Sequence, residues 1–349
     1  MDFELARGDP TLGLPCAHGG PVLCGVLRAM PEDFRVTEQL SYRATGDGEH
    51  VFLTVRKRER NTHEVARALA KLAGVAQKAV GYAGLKDRHA VATQHFTVQL
   101  PGRDGPDWSA LEDDTLQVIG VERHRRKIRR GSLTGNRFEI RVRDVQGDKA
   151  MAEQRLTIIA QQGVPNYFGS QRFGRQGSNL QRVADLFAGR GPRPNREQRG
   201  LLLSAARAQL FNKVLESRVH DGCWQTAVPG DVMLLAGSQR QFHFDVADPT
   251  VSSRLAALAI HPSGPLCGRL GRALQPTDLA QRIEARALAG WQDWVIGLDR
   301  LGLDADRRAL RLAVDDLEWH WEGNTLMLRF ALGAGSFATV VLRELVREG

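Results

Sequence analysis

Cysteine is scarce in this 349-residue chain, and its four residues, Cys16, Cys24, Cys223 and Cys267, form no C-x-x-C pair. That excludes a disulfide-stapled scaffold and leaves no spacing that asks for zinc. The ten histidines are scattered, without H-E-x-x-H or H-x-H spacing, so no metal is expected. No uninterrupted apolar run approaches the roughly 18 residues of a membrane span. The start, Met1-Asp2-Phe3-Glu4-Leu5, is acidic and lacks a basic region followed by an apolar core, so no secretory signal and a cytoplasmic location are expected. Neither a P-loop nor a dinucleotide fingerprint is present, and no cofactor is expected.

The remaining composition is that of a globular protein, 42% hydrophobic and 25% charged. The length suggests about two domains, each able to bury a core. Net charge is +8 and the sequence pI is near 9.7, which favours a polyanionic partner without saying which. Arg123-His124-Arg125-Arg126-Lys127-Ile128-Arg129-Arg130 holds six Lys or Arg in eight residues. Arg56-Lys57-Arg58-Glu59-Arg60 closes the apolar run Val51 to Val55. Both runs fall at strand ends and are expected to form a basic rim around one cleft, as phosphate tracking requires. The stretch Arg190 to Arg199 reads mostly as a loop.

Val51 to Val55 reads as a buried strand, and Asn61 with Glu64 as the capped start of a helix through Leu72, closed by Gly74. Ala79 to Ala83, His95 to Leu100 and Arg137 to Arg143 read as further strands, followed by a helix over about Lys149 to Gln161. Leu201 to Arg218 is a long helical run. Leu255 to Ile260 and Leu279 to Leu288 continue in that vein, with Pro262 to Gly271 as a link. Leu317–Trp321 and Leu326–Phe330 form a hairpin. Ser336 is the expected N-cap of a closing helix from Phe337 to Val346.

Between Gly84 and Gln94 one carboxylate, Asp87, stands between Lys86 and Arg88 in a glycine-flanked turn. Turns at strand ends present reactive side chains, and neighbouring cations keep a carboxylate ionised, which suits a nucleophile or a base. Gly84-Leu85-Lys86-Asp87-Arg88-His89-Ala90-Val91 with Gln94 resembles the signature of the TruD family of tRNA pseudouridine synthases. Four more stretches resemble that family in order: Pro31 to Phe34, Gly135-Asn136-Arg137-Phe138, Gly163 to Gly174, and Ala334-Gly335-Ser336-Phe337-Ala338-Thr339. Together they span nearly the whole chain.

The resemblance implies an α+β fold with a pseudouridine-synthase-like core, its mixed, largely antiparallel sheet flanked by helices and interrupted by an inserted TRUD domain. The expected boundaries are 1–162 and 309–349 for the core and 163–308 for the insert. It implies a cofactor-independent isomerase that converts a uridine of tRNA, expected to be uridine 13, to pseudouridine after base flipping. Asp87 is the implied nucleophile, and whether it attacks C1′ or C6, or removes a sugar proton, stays open. Phe34, Asn136 and Phe337 are the implied substrate-binding residues, with Phe337 stacking on the base. Arg28, Lys86 and Gln94 have orienting or supporting roles. The implied partner is tRNA, with no obligate protein partner and no need for more than a monomer. Two other readings compete with it: a non-catalytic RNA-binding protein, and a hydrolase pairing Asp87 with His89.

Overall fold

A computed structural model describes residues 8–348, so the acidic stretch Met1 to Leu5 lies outside the described residues. Two compact units emerge. One joins the segment ending at Pro21 to Ala150–Ala313 and Ser336–Leu345; the other joins Val22–Lys149, Val314–Gly335 and the segment from Val346. The divides between these units fall near residues 21, 149, 313, 335 and 345.

The second unit is built on a ten-stranded sheet. Its strands are β1 (Leu23–Leu27), β2 (Phe34–Leu40), β3 (His50–Arg58), β4 (Val80–Tyr82), β5 (Val91–Gln99), β6 (Leu116–His124), β7 (Leu133–Gly147), β8 (Asp315–Glu322), β9 (Thr325–Gly333) and β10 (Val346–Glu348). The main order is β8-β9-β7-β2-β5-β3-β6; β4 pairs with β5, and β1 with β7 and β10. Only β2–β5 and β1–β10 run parallel, so the expected mixed, largely antiparallel α+β fold is what forms. Helix α1 (Thr62–Ala73) covers one face. The Glu64 carboxylate accepts from Asn61 N at 3.0 Å to cap it, and Gly74 closes it at φ +63°. Val65, Ala66, Leu69 and Ala73 pack on Val51, Leu53, Val55, Phe96 and Val98, the alternate residues of β3 and β5.

The first unit centres on the helix Arg196–His220, which packs on the strand Ile260–Leu266 of a four-stranded sheet. That strand corrects the expectation of a helical stretch and a link at 255–271. The helix there ends at Ala256, and Ile260–Leu266 pairs on both sides. Gly264 is forced by the contact: a Cβ there would meet Leu310 at 2.8 Å and Phe211 at 3.1 Å. The closing helix is also shorter than expected. It runs over Ala338–Leu342 with Phe337, not Ser336, at its N-cap, and Val346 begins β10 instead. Among the described residues no helix is long and apolar enough to cross a membrane.

Candidate active site

Three strands and one helix hold the Asp87 loop, which joins β4 to β5. On β3 the alternation Val51, Leu53, Val55 continues to Lys57, whose side chain is fully buried. Its Nζ donates to Arg60 O at 2.7 Å and to Asp87 O at 2.8 Å, with Lys86 O at 3.5 Å. Burial lowers its pKa from 10.5 to about 8, with Asp87 acting in the opposite direction. On β5 the buried Gln94 donates to Gly84 O at 2.7 Å and accepts from Thr62 Oγ1 at 3.0 Å; Thr62 Oγ1 in turn accepts from Lys86 N at 3.1 Å. Gln94 thus ties Gly84, at the start of the loop, to helix α1.

Lys86 does not face Asp87. Its Nζ donates to Glu38 at 2.8 Å, and Glu38 also accepts from His95 N at 3.0 Å. Burial alone would raise the Glu38 carboxyl, but His95 and Lys86 hold it below the usual carboxylate range. Arg88 turns away as well, donating to Glu59 O at 3.2 Å. The cation beside Asp87 is Arg28, with its guanidinium 3.6 Å from the carboxylate. Lys86 therefore fastens the loop to Glu38, and Arg28 is the cation within reach of the Asp87 carboxylate. The Asp87 side chain is half exposed, as a group that must meet a large substrate needs to be.

Arg28 is itself held in place. Its backbone is left-handed at φ +55°, a costly conformation for a non-glycine residue. Its guanidinium lies 4.2 Å over the Phe34 ring. Phe34 is only 4% exposed, with Phe138 packed against its edge, so its ring serves as the floor under Arg28. The turn between them is fixed by Asp33, which accepts from Met30 N at 3.0 Å and takes both nitrogens of an Arg143 fork at 2.7–3.0 Å.

Asn136 on β7 pairs directly with Glu38 on β2, so the two side chains share a face. Asn136 is 9% exposed and its Oδ1 has no hydrogen-bond partner among the described residues. An amide oxygen so placed can accept a hydrogen bond from a ligand. Phe337 belongs to the other unit, where it caps the short helix near Gly169. His89 is exposed and makes no hydrogen bond to Asp87 among the described residues. Tyr82 packs: its ring lies against Phe96 and its hydroxyl meets His63 Nδ1 at 3.1 Å.

Sequence reasoning missed Lys57 and Glu38. Each is a charge at a core-facing position of an otherwise apolar row, Leu53-Val55-Lys57 and Phe34-Val36-Glu38, and that break in alternation was the available signal. Arg56–Arg60 lies at the Asp87 end of β3; the run Arg123–Arg130 starts at the opposite end, where Arg123 pairs with Val51, and returns to Ala83 before the Asp87 loop.

The family profile described as tRNA pseudouridine synthase D (TruD) matches residues 17–190 and 194–345. A protein of Methylococcus capsulatus named tRNA pseudouridine synthase D is 50% identical over 334 residues, covering 95% of this chain and 94% of its own. One of the same name from Nitrosococcus oceani is 47% identical over 336 residues, covering 95% and 93%. A crystal structure of a TruD protein from Methanosarcina mazei shares the fold, with a TM-score of 0.71 at 21% identity over 95% of each chain. The chain belongs to the tRNA pseudouridine synthase D (TruD) family.

Proposed function

We propose that the protein is a tRNA pseudouridine synthase in which Asp87 is the nucleophile and uridine 13 the target. The observation that carries the residue assignment is the half-exposed Asp87 carboxylate, 3.6 Å from Arg28, on a loop fastened underneath by buried charges. Isomerisation breaks the bond from N1 to the ribose C1′ and makes one from C5 to C1′. C5 loses its proton and N1 gains one, so no electrons leave and no cofactor takes part. The carboxylate forms a bond to the substrate and is released when the C5 bond is complete. Arg28 orients it throughout.

The target base leaves its stack at a cost of a few kcal/mol, offset in part by about 1–3 kcal/mol of aromatic stacking. Phe337 takes the stacking role on the strength of the Gly335-Ser336-Phe337-Ala338 motif. The Asn136 Oδ1, which has no hydrogen-bond partner among the described residues, accepts from a donor of the flipped base. Phe34 acts on the substrate through Arg28 and not by direct contact. The unit carrying Asp87 supplies the nucleophile, and residues 163–308 of the other unit grip or gauge the RNA. Release of tritium from C5-labelled uridine in a tRNA transcript tests the reaction. Release stoichiometric with one uridine per tRNA supports it, and none from any tRNA species overturns it.

A further inference from the structure

The sheet unit has a second concave site, at the end of β3 away from Asp87. His50 opens β3 and Lys57, which binds the Asp87 loop, nearly closes it; seven residues of strand separate them by about 23 Å. The cavity there has a volume of about 910 Å³, and its lining includes Tyr42, His50, Gln99, His124, Arg126 and Arg129.

Its floor is aromatic and polar. The Tyr42 and His124 rings are parallel at a centroid distance of 5.1 Å, and Tyr42 rests on Phe52, Ala83 and Ile128. His50 is 5% and His124 7% exposed, and the Nδ1 of each has no hydrogen-bond partner among the described residues. Burial lowers both histidine pKa values, so both are neutral at pH 7 and can offer or accept a single hydrogen bond.

Its rim is cationic, and the cations differ. Arg125 is spent on Asp47 through bonds of 2.7–3.0 Å, and Lys127 binds Lys78 O. Arg126 and Arg129 are exposed and have no carboxylate partner among the described residues. Glycines seat both ends of this basic segment. A Cβ on Gly48 would meet Arg125 Cα at 2.6 Å, and one on Gly81 would meet Ile128 O at 2.4 Å. From there the segment reaches Ala83, whose carbonyl accepts from Gly131 N at 3.3 Å, so the cations run from the cavity towards the Asp87 loop.

From this aromatic floor and free cationic rim, we infer that the cavity holds one nucleotide of the same RNA whose uridine reacts at Asp87. The base lies on Tyr42 and its phosphates meet Arg126 and Arg129. The inference rests on the proposed RNA substrate and adds where that RNA is gripped. The nucleotide held there is not the one that reacts, so the site reads the shape of the RNA around the reacting uridine.

The test compares equilibrium binding of an unmodified tRNA transcript, across several salt concentrations, to the full chain and to Arg126→Glu/Arg129→Glu. The double variant is expected to bind at least 10-fold more weakly. Its slope of log affinity against log salt should fall by about 1.4, two phosphate contacts at about 0.7 each. Arg126→Gln/Arg129→Gln should move the same way, and Arg126→Lys/Arg129→Lys should restore binding. Tyr42→Ala should weaken binding 5-fold or more with the slope unchanged, as loss of stacking demands. Unchanged affinity and slope in the charge-reversed variant overturn the inference. If the wild type makes pseudouridine and that variant binds normally, the function stands and the cavity does not. If no tRNA is converted but the variant loses salt-dependent binding, the cavity stands and the function falls.

Discussion

Replacing Lys57 with methionine tests whether the loop, and not the carboxylate alone, makes Asp87 a catalyst. The side chain is fully buried and its two short bonds, 2.7 and 2.8 Å, tie Arg60 to the backbone of Asp87 itself. Two magnitudes oppose each other. The fall in pKa from 10.5 to about 8 says that the buried ammonium carries a net cost of about 3 kcal/mol at neutral pH, which methionine removes. Against this, each carbonyl left without its donor costs about 1–3 kcal/mol. The stability of Lys57→Met should therefore stay within about 3 kcal/mol of wild type. Catalysis has no such compensation. A loop displaced by about 1 Å loses on the order of 10²-fold in rate.

Single-turnover kinetics on a tRNA transcript should show kcat down by about 10²-fold, with tRNA affinity within about threefold of wild type. The pH dependence separates positioning from mere folding. In the folded protein Lys57 is charged below about 8 and neutral above it. The wild-type rate should fall as pH rises through about 8, and that limb should be absent from Lys57→Met. The stability contribution has the opposite sense: the burial cost is fully present below about 8 and is relieved between about 8 and 10.5, where only the unfolded chain still holds the proton. A Lys57→Met enzyme with wild-type kcat and an unchanged pH profile would refute the reasoning.

Other substitutions separate structure from catalysis. Arg28→Ala removes a partly exposed ion pair worth about 0.2–1 kcal/mol and a cation–π contact worth about 0.5–1 kcal/mol. Thermal melting should shift little, kcat should fall well over tenfold, and Arg28→Lys should recover part of it; a large melting shift with intact kcat would make Arg28 structural. Asn136→Leu removes a buried acceptor that has no partner among the described residues. Its stability should hold or rise while kcat/KM for tRNA falls by about 10-fold or more, as loss of a buried hydrogen bond to substrate implies. Parallel losses of stability and activity would refute the base-contact role.

Helix α1 was legible because its signals are local: a capping residue, a carboxylate three places on, and a glycine free to adopt φ +63°. The alternating strands and the hairpin of β8 and β9 were legible for the same reason. Ile260–Leu266 was not, because a strand paired on both sides rarely holds Pro262, Gly264 and Pro265. The neighbours that accommodate it, Phe211 and Leu310, are far away in sequence. β10 was hidden because Val346 pairs with Leu23 at the other end of the chain.

The site divides in the same way. Asp87 could be read from its own motif. That its cation is Arg28, and that Lys86 turns to Glu38, depends on strand pairing that adjacency in sequence misrepresents. Lys57 was concealed among Arg56, Arg58 and Arg60, where its charge looked like surface.

The most direct test of the account is pseudouridine mapping on one unmodified tRNA transcript incubated with wild type and with Asp87→Asn. The account predicts conversion at uridine 13 by the wild type alone, with tRNA binding retained by the variant. Substantial conversion by Asp87→Asn would contradict it.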